Sequence, residues 1–196
     1  MGKTSIQWTD YTWNFMTGCY KLSPGCENCY MFPLAKRLQS MGSRRYTNGT
    51  IPTFHPEALK LPKLKDGSRV FVNSMSDVYL STFPLEQIRQ GFDVMNTHPK
   101  LDFQILTKRA QRMAILAKEL SWSPNIWQGV SVENQGCDFR FRYLRNHPAG
   151  IHFVSAEPLI GPLDLSAYLD DLNWVIVGGE SGPKALPMNL TWAWAL

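Results

Sequence analysis

The chain has 196 residues, and 44% of them are hydrophobic, which is enough to bury one ample core. Its 20 basic and 16 acidic residues give a formal charge of +4, which permits contact with phosphate or nucleic acid without indicating it. No apolar stretch reaches the length of a signal peptide or a membrane span, which excludes a membrane-spanning segment and disfavours a secreted disulfide scaffold. We expect one cytoplasmic domain over residues 1–196, without membrane contact.

The N-terminal third predicts few regular elements. A short strand is expected at 12–16, and a loop rich in Gly and Pro follows it. Residues 31–42 carry an apolar stripe that ends at Gly42, which predicts a helix. Residues 43–68 form a long connection rich in Pro, Gly and basic residues, and such a connection is usually a functional lid or a disordered segment.

From residue 69 the chain alternates short apolar runs with helical patterns. The apolar runs are rich in β-branched and aromatic residues and predict buried strands at 70–72, 103–106, 126–130, 151–154 and 174–177. Helical patterns are found at 84–95, 109–120, 137–145 and 164–171. Because strand and helix alternate, the sheet should be parallel, and the strand at 12–16 brings the count to six strand–helix units.

Each of these apolar runs ends in polar residues. Since the carboxyl ends of parallel strands meet at one edge of a sheet, the polar groups should surround a common mouth. The loop at 18–30, called the cysteine loop because it carries Cys19, Cys26 and Cys29, should lie at the same mouth. Turn and cap formation explains some of them individually, namely Ser74, Ser155 and Ser181. Three glutamates at matching positions favour a functional site: Glu133, Glu157 and Glu180.

Three of the four cysteines lie within eleven residues, at Cys19, Cys26 and Cys29. The spacing Cys-x6-Cys-x2-Cys brings three soft thiolates together and leaves one corner of a tetrahedral site or cubane cluster without a nearby protein ligand. Three interpretations stay open. We favour a [4Fe-4S] cluster over a zinc site completed by Cys137 or a histidine, and over unligated thiols. Cys137 itself is expected to be a buried thiol.

Several basic residues are clustered, at Arg44–Arg45, at Lys108–Arg109, and at Arg140, Arg142 and Arg145. They could line a path for nucleic acid, but such residues on a helix more often form a solvated face. The spacing of a helix-turn-helix or a zinc finger is missing, so sequence-specific DNA reading is not indicated.

Short phrases spread along nearly the whole chain carry a resemblance to a known family. They lie at 12–14, 17–19, 23–30, 72–77, 104–109, 129–135, 156–162 and 177–182. Through them the chain resembles a phage-encoded three-cysteine family of unassigned function. Members of that family generally continue through another helix and strand, so the resemblance implies a shortened C-terminus here.

More distantly, the chain is similar to the radical S-adenosylmethionine superfamily, especially its spore photoproduct lyase-like branch. The similarity lies in the cysteine loop, in Ser76–Tyr79 followed by Glu86, and in Thr107–Arg109. It implies a partial (β/α)6 TIM-like barrel with the cysteine loop at its C-terminal mouth. It also implies a [4Fe-4S] cluster whose fourth iron binds S-adenosylmethionine. Reduction of that cluster would give a 5'-deoxyadenosyl radical, which abstracts hydrogen from a substrate.

The same resemblance implies roles for individual residues. The cluster ligands would be Cys19, Cys26 and Cys29. Tyr30 would pack near the adenine of S-adenosylmethionine. The methionine amino group would meet Ser74, Ser76 and Asp77. The carboxylate or ribose would meet Lys108, Ser131 and Glu133. The candidates for catalysis are Asp77, Lys108, Glu133, Glu157 and Glu180.

These expectations combine into one functional hypothesis. We expect a radical S-adenosylmethionine enzyme in the cytoplasm of a host cell, with a reductant as partner and an unknown substrate, for which a nucleic acid or nucleotide is a candidate. The alternative is a non-catalytic metal-binding phage protein, such as an inhibitor of a host defence complex. In that case zinc could replace the cluster and a host protein would be the partner.

Overall fold

The computed structural model describes residues 1–182 and 184–196. The strands are β1 (Gly2–Lys3), β2 (Tyr11–Trp13), β3 (Met16–Thr17), β4 (Thr53–Phe54), β5 (Arg69–Val72), β6 (Asp102–Thr107), β7 (Ile126–Ser131), β8 (His152–Ala156) and β9 (Trp174–Val177). The α-helices are α1 (Met31–Ser40), α2 (Leu85–Asn96), α3 (Ala110–Leu116), α4 (Arg140–Leu144) and α5 (Leu190–Trp194). Within these ranges no helix is long and apolar enough to cross a membrane.

Seven strands form one open sheet in the order β1-β2-β5-β6-β7-β8-β9. The strand β1 is antiparallel to β2, and every other neighbouring pair is parallel, which confirms the predicted α/β class with a largely parallel sheet. The strands β3 and β4 pair separately. The sheet is not closed into a barrel, because β1 and β9 are its two edges.

Several predicted elements differ from the expectation in detail. The helices predicted at 109–120 and 137–145 are shorter, and 3-10 helices occupy Ala117–Glu119 and Gln135–Cys137. The strand expected at 12–16 is divided into β2 and β3, because Asn14 and Phe15 interrupt it. The last predicted helix is a 3-10 helix over Ser166–Asp171. The long connection at 43–68 contains β4 and two short 3-10 helices, Arg44–Tyr46 and Pro56–Leu59.

The two faces of the parallel sheet have different functions, because successive side chains point to opposite faces. One face joins the main hydrophobic core, to which the helices also contribute. Its central members are Val72, Ile105, Val130 and Val154. The other face lines a cavity through the residues next to them in the chain, namely Phe71, Leu106, Ser131 and Ser155.

Trp8 occupies the cavity face of the sheet. Its ring lies 4.7 Å from the ring of Phe71 and 6.1 Å from that of Trp174, measured between centroids. The amide of Gln104 donates a hydrogen bond of 3.3 Å to the Trp8 carbonyl. The N-terminal segment therefore covers part of this face and becomes a wall of the cavity.

A second, smaller core lies beneath the cysteine loop. Its buried members are Met31 and Ala35 of α1, Tyr46 and Met75. Cys19 and Cys29 pack against this cluster. The cysteine loop, α1 and the following turn consequently form one packed unit at the carboxyl end of the sheet.

His147 predicts a pH dependence of stability. Its Nε2 has no hydrogen-bond partner among the described residues, and burial, with a smaller contribution from His152, lowers its pKa to about 3. An unfolded histidine titrates near about 6.5, so below that pH the unfolded chain binds a proton that the folded chain rejects. The free energy of unfolding is therefore highest above about pH 6.5. It decreases as the pH falls toward 3, by roughly 1 kcal/mol per pH unit.

The measurement is urea unfolding between neutral and mildly acidic pH, on the wild-type chain and on His147→Phe. The variant keeps the ring that packs on Trp122 at 4.4 Å and removes the titrating group. We expect a shallower loss of stability on acidification in the variant. Equal slopes for the two proteins would contradict the assignment.

Candidate active site

A cavity of about 630 Å³ lies at the carboxyl ends of the parallel strands. Cys19, Cys26 and Cys29 all contribute to its lining. The other predicted site residues that line it are Tyr30, Ser74, Ser76, Asp77, Lys108, Ser131, Glu157 and Glu180. The structure therefore brings the cysteine loop and five strand ends to one place, and its volume suits a small-molecule ligand.

Side-chain hydrogen bonds fasten the cysteine loop to the strand ends. The loop accepts two of them at its backbone, from Ser76 to the Gly18 carbonyl at 2.7 Å and from Arg109 to the Tyr20 carbonyl at 2.8 Å. It donates two others, from Ser23 to Glu133 at 2.5 Å and from the Tyr30 hydroxyl to the Ser74 carbonyl at 2.7 Å. Loops that follow β5, β6 and β7 thus determine where the cysteines lie.

Gly18 makes the entry to this loop possible. Its φ of +79° lies in the left-handed region, and a Cβ there would collide with the backbone of Ile51. On its other side the Cys19 N–H donates to the Thr50 carbonyl at 3.1 Å. The long connection at 43–68 therefore supports the cysteine loop directly.

Glu133 is placed behind the cysteine loop and does not line the cavity. Its fully buried carboxylate accepts hydrogen bonds from Ser23 and from the Cys137 thiol at 2.9 Å, and it pairs with Lys108 at 3.5 Å and Arg140 at 3.3 Å. Burial by itself would raise the pKa of Glu133, but the two cations and the two hydrogen bonds outweigh it and lower the pKa. Glu133 is ionised and links the loop to the sheet.

Asp77 is the centre of a second buried network. Its carboxylate accepts hydrogen bonds from the Thr107 hydroxyl at 2.8 Å, the Tyr79 N–H at 2.9 Å and the Lys108 N–H at 3.2 Å. It also pairs with the Arg109 guanidinium at 2.9 Å. Since Arg109 in turn reaches the cysteine loop, Asp77 positions that loop through Arg109.

Glu180 and Glu157 differ in whether both carboxylate oxygens already accept hydrogen bonds from the protein. Both oxygens of Glu180 accept hydrogen bonds from the side-chain amide of Asn28, at 3.1 and 3.0 Å, and one also accepts from the Leu186 N–H. Glu157 accepts a bond of 3.3 Å from the Trp8 indole at Oε2, and its Oε1 accepts none from the described residues. Burial raises the pKa of Glu157.

Burial governs the cysteine thiols. It raises the pKa of Cys19 to about 12, with a further contribution from the nearby Asp77, and it also raises the pKa of Cys29. The sulfur ligands of metals are thiolates, so at neutral pH Cys19 needs a bound cation to become one. In the described ranges, no group of three or more His, Cys, Asp or Glu residues is arranged to hold a single metal ion.

Two cavity residues were missed by sequence reasoning. Ser155, treated there as a turn former, is 1% exposed, and its hydroxyl has no hydrogen-bond partner among the described residues. Asn73, with a φ of 56°, uses its carbonyl oxygen to accept from the Met16 N–H at 3.1 Å, while its amide nitrogen is unpartnered. A buried polar atom without a partner was not visible in the sequence pattern.

One basic residue is not where a solvated helix face would place it. Arg140 is 2% exposed and donates a hydrogen bond of 2.7 Å to the Ser131 carbonyl, in addition to its pairing with Glu133. It belongs to the interior and is not available to a nucleic acid. His55 likewise lies within the interior, where its Nε2 is 2.7 Å from the Thr17 hydroxyl.

Asp77→Ala is expected to destabilise the fold by about 3 kcal/mol, because it removes a buried carboxylate and leaves the Arg109 guanidinium, whose side chain is 15% exposed, without its partner. Urea unfolding measures the change. The matched control is Asp66→Ala, which breaks the exposed pair with Lys100 and should leave the unfolding midpoint unchanged. Equal effects of the two substitutions would show that the Asp77 network does not carry the stability assigned to it.

Comparisons with known proteins place the chain in a family. No curated protein and no solved structure matches the chain significantly. A sequence profile described as "Protein of unknown function (DUF5131)" matches residues 3–196, nearly the whole chain. The chain therefore belongs to the DUF5131 family, whose function is not assigned.

Proposed function

We propose that the chain is a radical S-adenosylmethionine-type enzyme. The observation that carries the proposal is the joint placement of Cys19, Cys26 and Cys29 with the carboxyl ends of the parallel strands in one cavity. A metal held by three protein thiolates keeps a coordination position for a ligand, and the surrounding strand ends supply the polar groups to bind that ligand. The candidate class for the reacting substrate is a nucleic acid or nucleotide.

The topology of the sheet supports a partial barrel. Its six parallel strands follow one another in chain order from β2 to β9, apart from the separate pair β3 and β4. Every crossover therefore steps in the same direction, as in a singly wound (β/α) barrel, whereas a doubly wound sheet reverses direction. In such a fold the site lies at the carboxyl ends of the strands, where the cysteine loop is found.

The donor set suits an iron–sulfur cluster. Cys19, Cys26 and Cys29 are free thiols that lie partly exposed along the cavity, and they would be its ligands. When bound, a reduced [4Fe-4S] cluster supplies the electron that cleaves S-adenosylmethionine to a 5'-deoxyadenosyl radical. Burial is the main influence on Cys29 and raises its pKa, while the positive charge of Lys108 opposes part of that rise.

The unpartnered cavity atoms suit a polar small molecule. Asn73 presents an amide donor and Ser155 a hydroxyl, and both side chains are at least 98% buried. A buried polar atom without a partner costs about 1–3 kcal/mol, and a ligand that completes its hydrogen bonds recovers that cost. S-adenosylmethionine carries carboxylate, amino, ribose and adenine groups that can complete these hydrogen bonds. Lys108 and Ser131, which also line the cavity, would offer it further polar contacts.

Glu157 is the acidic candidate that remains available for a ligand. Asp77, Glu133 and Glu180 are engaged by protein donors at both oxygens, whereas Glu157 keeps Oε1 without a donor among the described residues. Trp8 holds the other oxygen and so fixes the direction of the carboxylate. Glu157 can therefore accept a hydrogen bond or a proton from a group in the cavity.

The engagement of these carboxylates by protein donors also favours a second candidate, a metal-binding protein without turnover. Three of the four carboxylates hold the cysteine loop in place, which is the arrangement that a structural metal site would also need. The two functions differ at Glu157, because a non-catalytic protein has no need of its free oxygen.

The cluster is tested by anaerobic purification followed by iron, sulfide and zinc analysis. About four irons per chain are expected, with formation of 5'-deoxyadenosine after addition of S-adenosylmethionine and dithionite. Cys26→Ser should lose the iron, whereas Cys137→Ser, which keeps a donor for Glu133, should retain it. One zinc per chain would favour the second candidate, and unchanged iron in Cys26→Ser would refute the ligand assignment.

Glu157→Gln tests the proposal that Glu157 takes part in catalysis. We expect iron content and unfolding midpoint to stay as in the wild type, while 5'-deoxyadenosine formation falls about tenfold or more, since a hydrogen bond to a charged group contributes about 1.5–3 kcal/mol. Asp170→Asn changes an exposed carboxylate that does not line the cavity; it is the control and should have no effect. Full activity of Glu157→Gln would remove Glu157 from the mechanism.

A further inference from the structure

The net charge of the chain is concentrated in one segment. Residues 20–51, which we call the mouth segment, contain five basic residues and one acidic residue, Glu27. The basic residues are Lys21, Lys36, Arg37, Arg44 and Arg45. Their excess of four equals the net charge of the whole chain, because the rest contains fifteen residues of each sign. Outside the mouth segment the protein is electrically balanced.

The mouth segment is one body in the structure. Its cysteine loop, α1 and the turn at Arg44–Tyr46 share the small core around Met31 and Tyr46. The side chain of Gln39 on α1 donates to the Thr47 carbonyl at 2.9 Å, which ties the helix to the turn. The charges of this segment therefore belong to one packed unit, which also carries the three cysteines.

The basic groups at the outer part of this surface are free to meet a partner. Lys36, Arg37 and Arg44 are exposed and make no ion pair with the described residues. Lys21 differs, because it pairs with Glu27 at 2.9 Å. An acidic partner would thus find three uncompensated cations on α1 and the following turn.

The mouth segment also carries many exposed apolar side chains. Five of the thirteen large hydrophobic side chains that are exposed among the described residues belong to it, at Tyr20, Leu22, Leu34, Met41 and Ile51. Met41 is 69% exposed and Ile51 60%. Exposed apolar groups that accompany a charged rim are typical of protein–protein contact sites.

We propose that the mouth segment is the docking surface for an acidic electron-transfer protein. The positive charge selects an acidic partner and speeds its encounter. The exposed Met41 and Ile51 favour a protein over a nucleic acid, because a phosphate backbone offers them no apolar contact. Since Tyr20 and Leu22 belong to the cysteine loop itself, a docked donor lies beside the proposed cluster.

The docking proposal rests on the proposed function for its redox step. A reduced donor would give up one electron to the group that Cys19, Cys26 and Cys29 would hold, and the oxidised donor would then leave. No atom is transferred. The donor is the co-reactant, and a one-electron carrier protein of net negative charge is the chemical class that fits; a flavodoxin serves as its probe.

The test compares two double variants that each remove two positive charges. Lys36→Gln with Arg37→Gln alters the outer face of α1, and Lys63→Gln with Lys65→Gln makes the same change at exposed positions outside the mouth segment. The probe is an acidic flavodoxin. Its affinity for anaerobically purified chain is measured by isothermal titration at low and at physiological ionic strength, and the rate of cluster reduction is followed with flavodoxin and with dithionite.

We expect the α1 variant to bind flavodoxin about tenfold more weakly at low salt, with a smaller difference at higher salt because charges become screened. Its reduction by flavodoxin should slow equally, while reduction by dithionite, which needs no docking, should be unchanged. The control variant should match the wild type in every measurement.

Other outcomes separate the two proposals. Equal effects of the two double variants on flavodoxin binding would overturn the docking surface while the dithionite reaction left the radical enzyme intact. Tighter binding of a single-stranded oligonucleotide than of flavodoxin, lost in the α1 variant, would also overturn it and assign the surface to nucleic acid. Failure of dithionite to reduce any centre would sink the proposed function, and the titrations would still decide the docking surface.

Discussion

The position of the cysteine loop depends on hydrogen bonds to other parts of the protein, because the loop contains too little regular structure to hold itself. Its one regular element is a 3-10 helix of three residues, Pro24–Cys26. The bond from Ser23 to Glu133 and the bond from Arg109 to Tyr20 join it to the ends of β7 and β6. Any function of the three cysteines therefore depends on the folded ends of the parallel strands.

Two buried carboxylates sustain this attachment at considerable electrostatic cost. Glu133 and Asp77 are both buried; Glu133 pairs with two cations and Asp77 with one, and both also accept hydrogen bonds. A buried ion pair adds little net stability, but loss of one partner is strongly destabilising, so such a network mainly fixes geometry. The resemblance assigns both residues to contacts with S-adenosylmethionine, and that assignment stays a prediction. In the structure their carboxylates already accept from protein donors, whereas Glu157, Asn73 and Ser155 keep atoms that a ligand can satisfy.

The sequence was sufficient to predict much of the fold, because its signals are local. The strand Trp174–Val177 has the predicted bounds, and the alternation of apolar runs with helical patterns correctly indicated parallel pairing. Contacts between distant residues were not predictable in this way. The polar positions at strand ends indicated a common mouth, but the bond between Ser23 and Glu133 spans 110 residues, and the burial of Arg140 depends on that same carboxylate. Local patterns therefore identified candidate residues without their partners.

The cysteine loop is attached to the rest of the protein in two different ways. Toward α1 it packs on a small apolar core of its own, and toward the sheet it is held by polar bonds. A unit with a small separate core opens more easily than the main core does, because fewer buried apolar groups resist its release. The binding of a metal group to Cys19, Cys26 and Cys29 would add covalent links across this unit and oppose that opening. Occupancy of the cysteines and order of the surface that carries the net positive charge are thereby coupled, since both belong to the same packed segment.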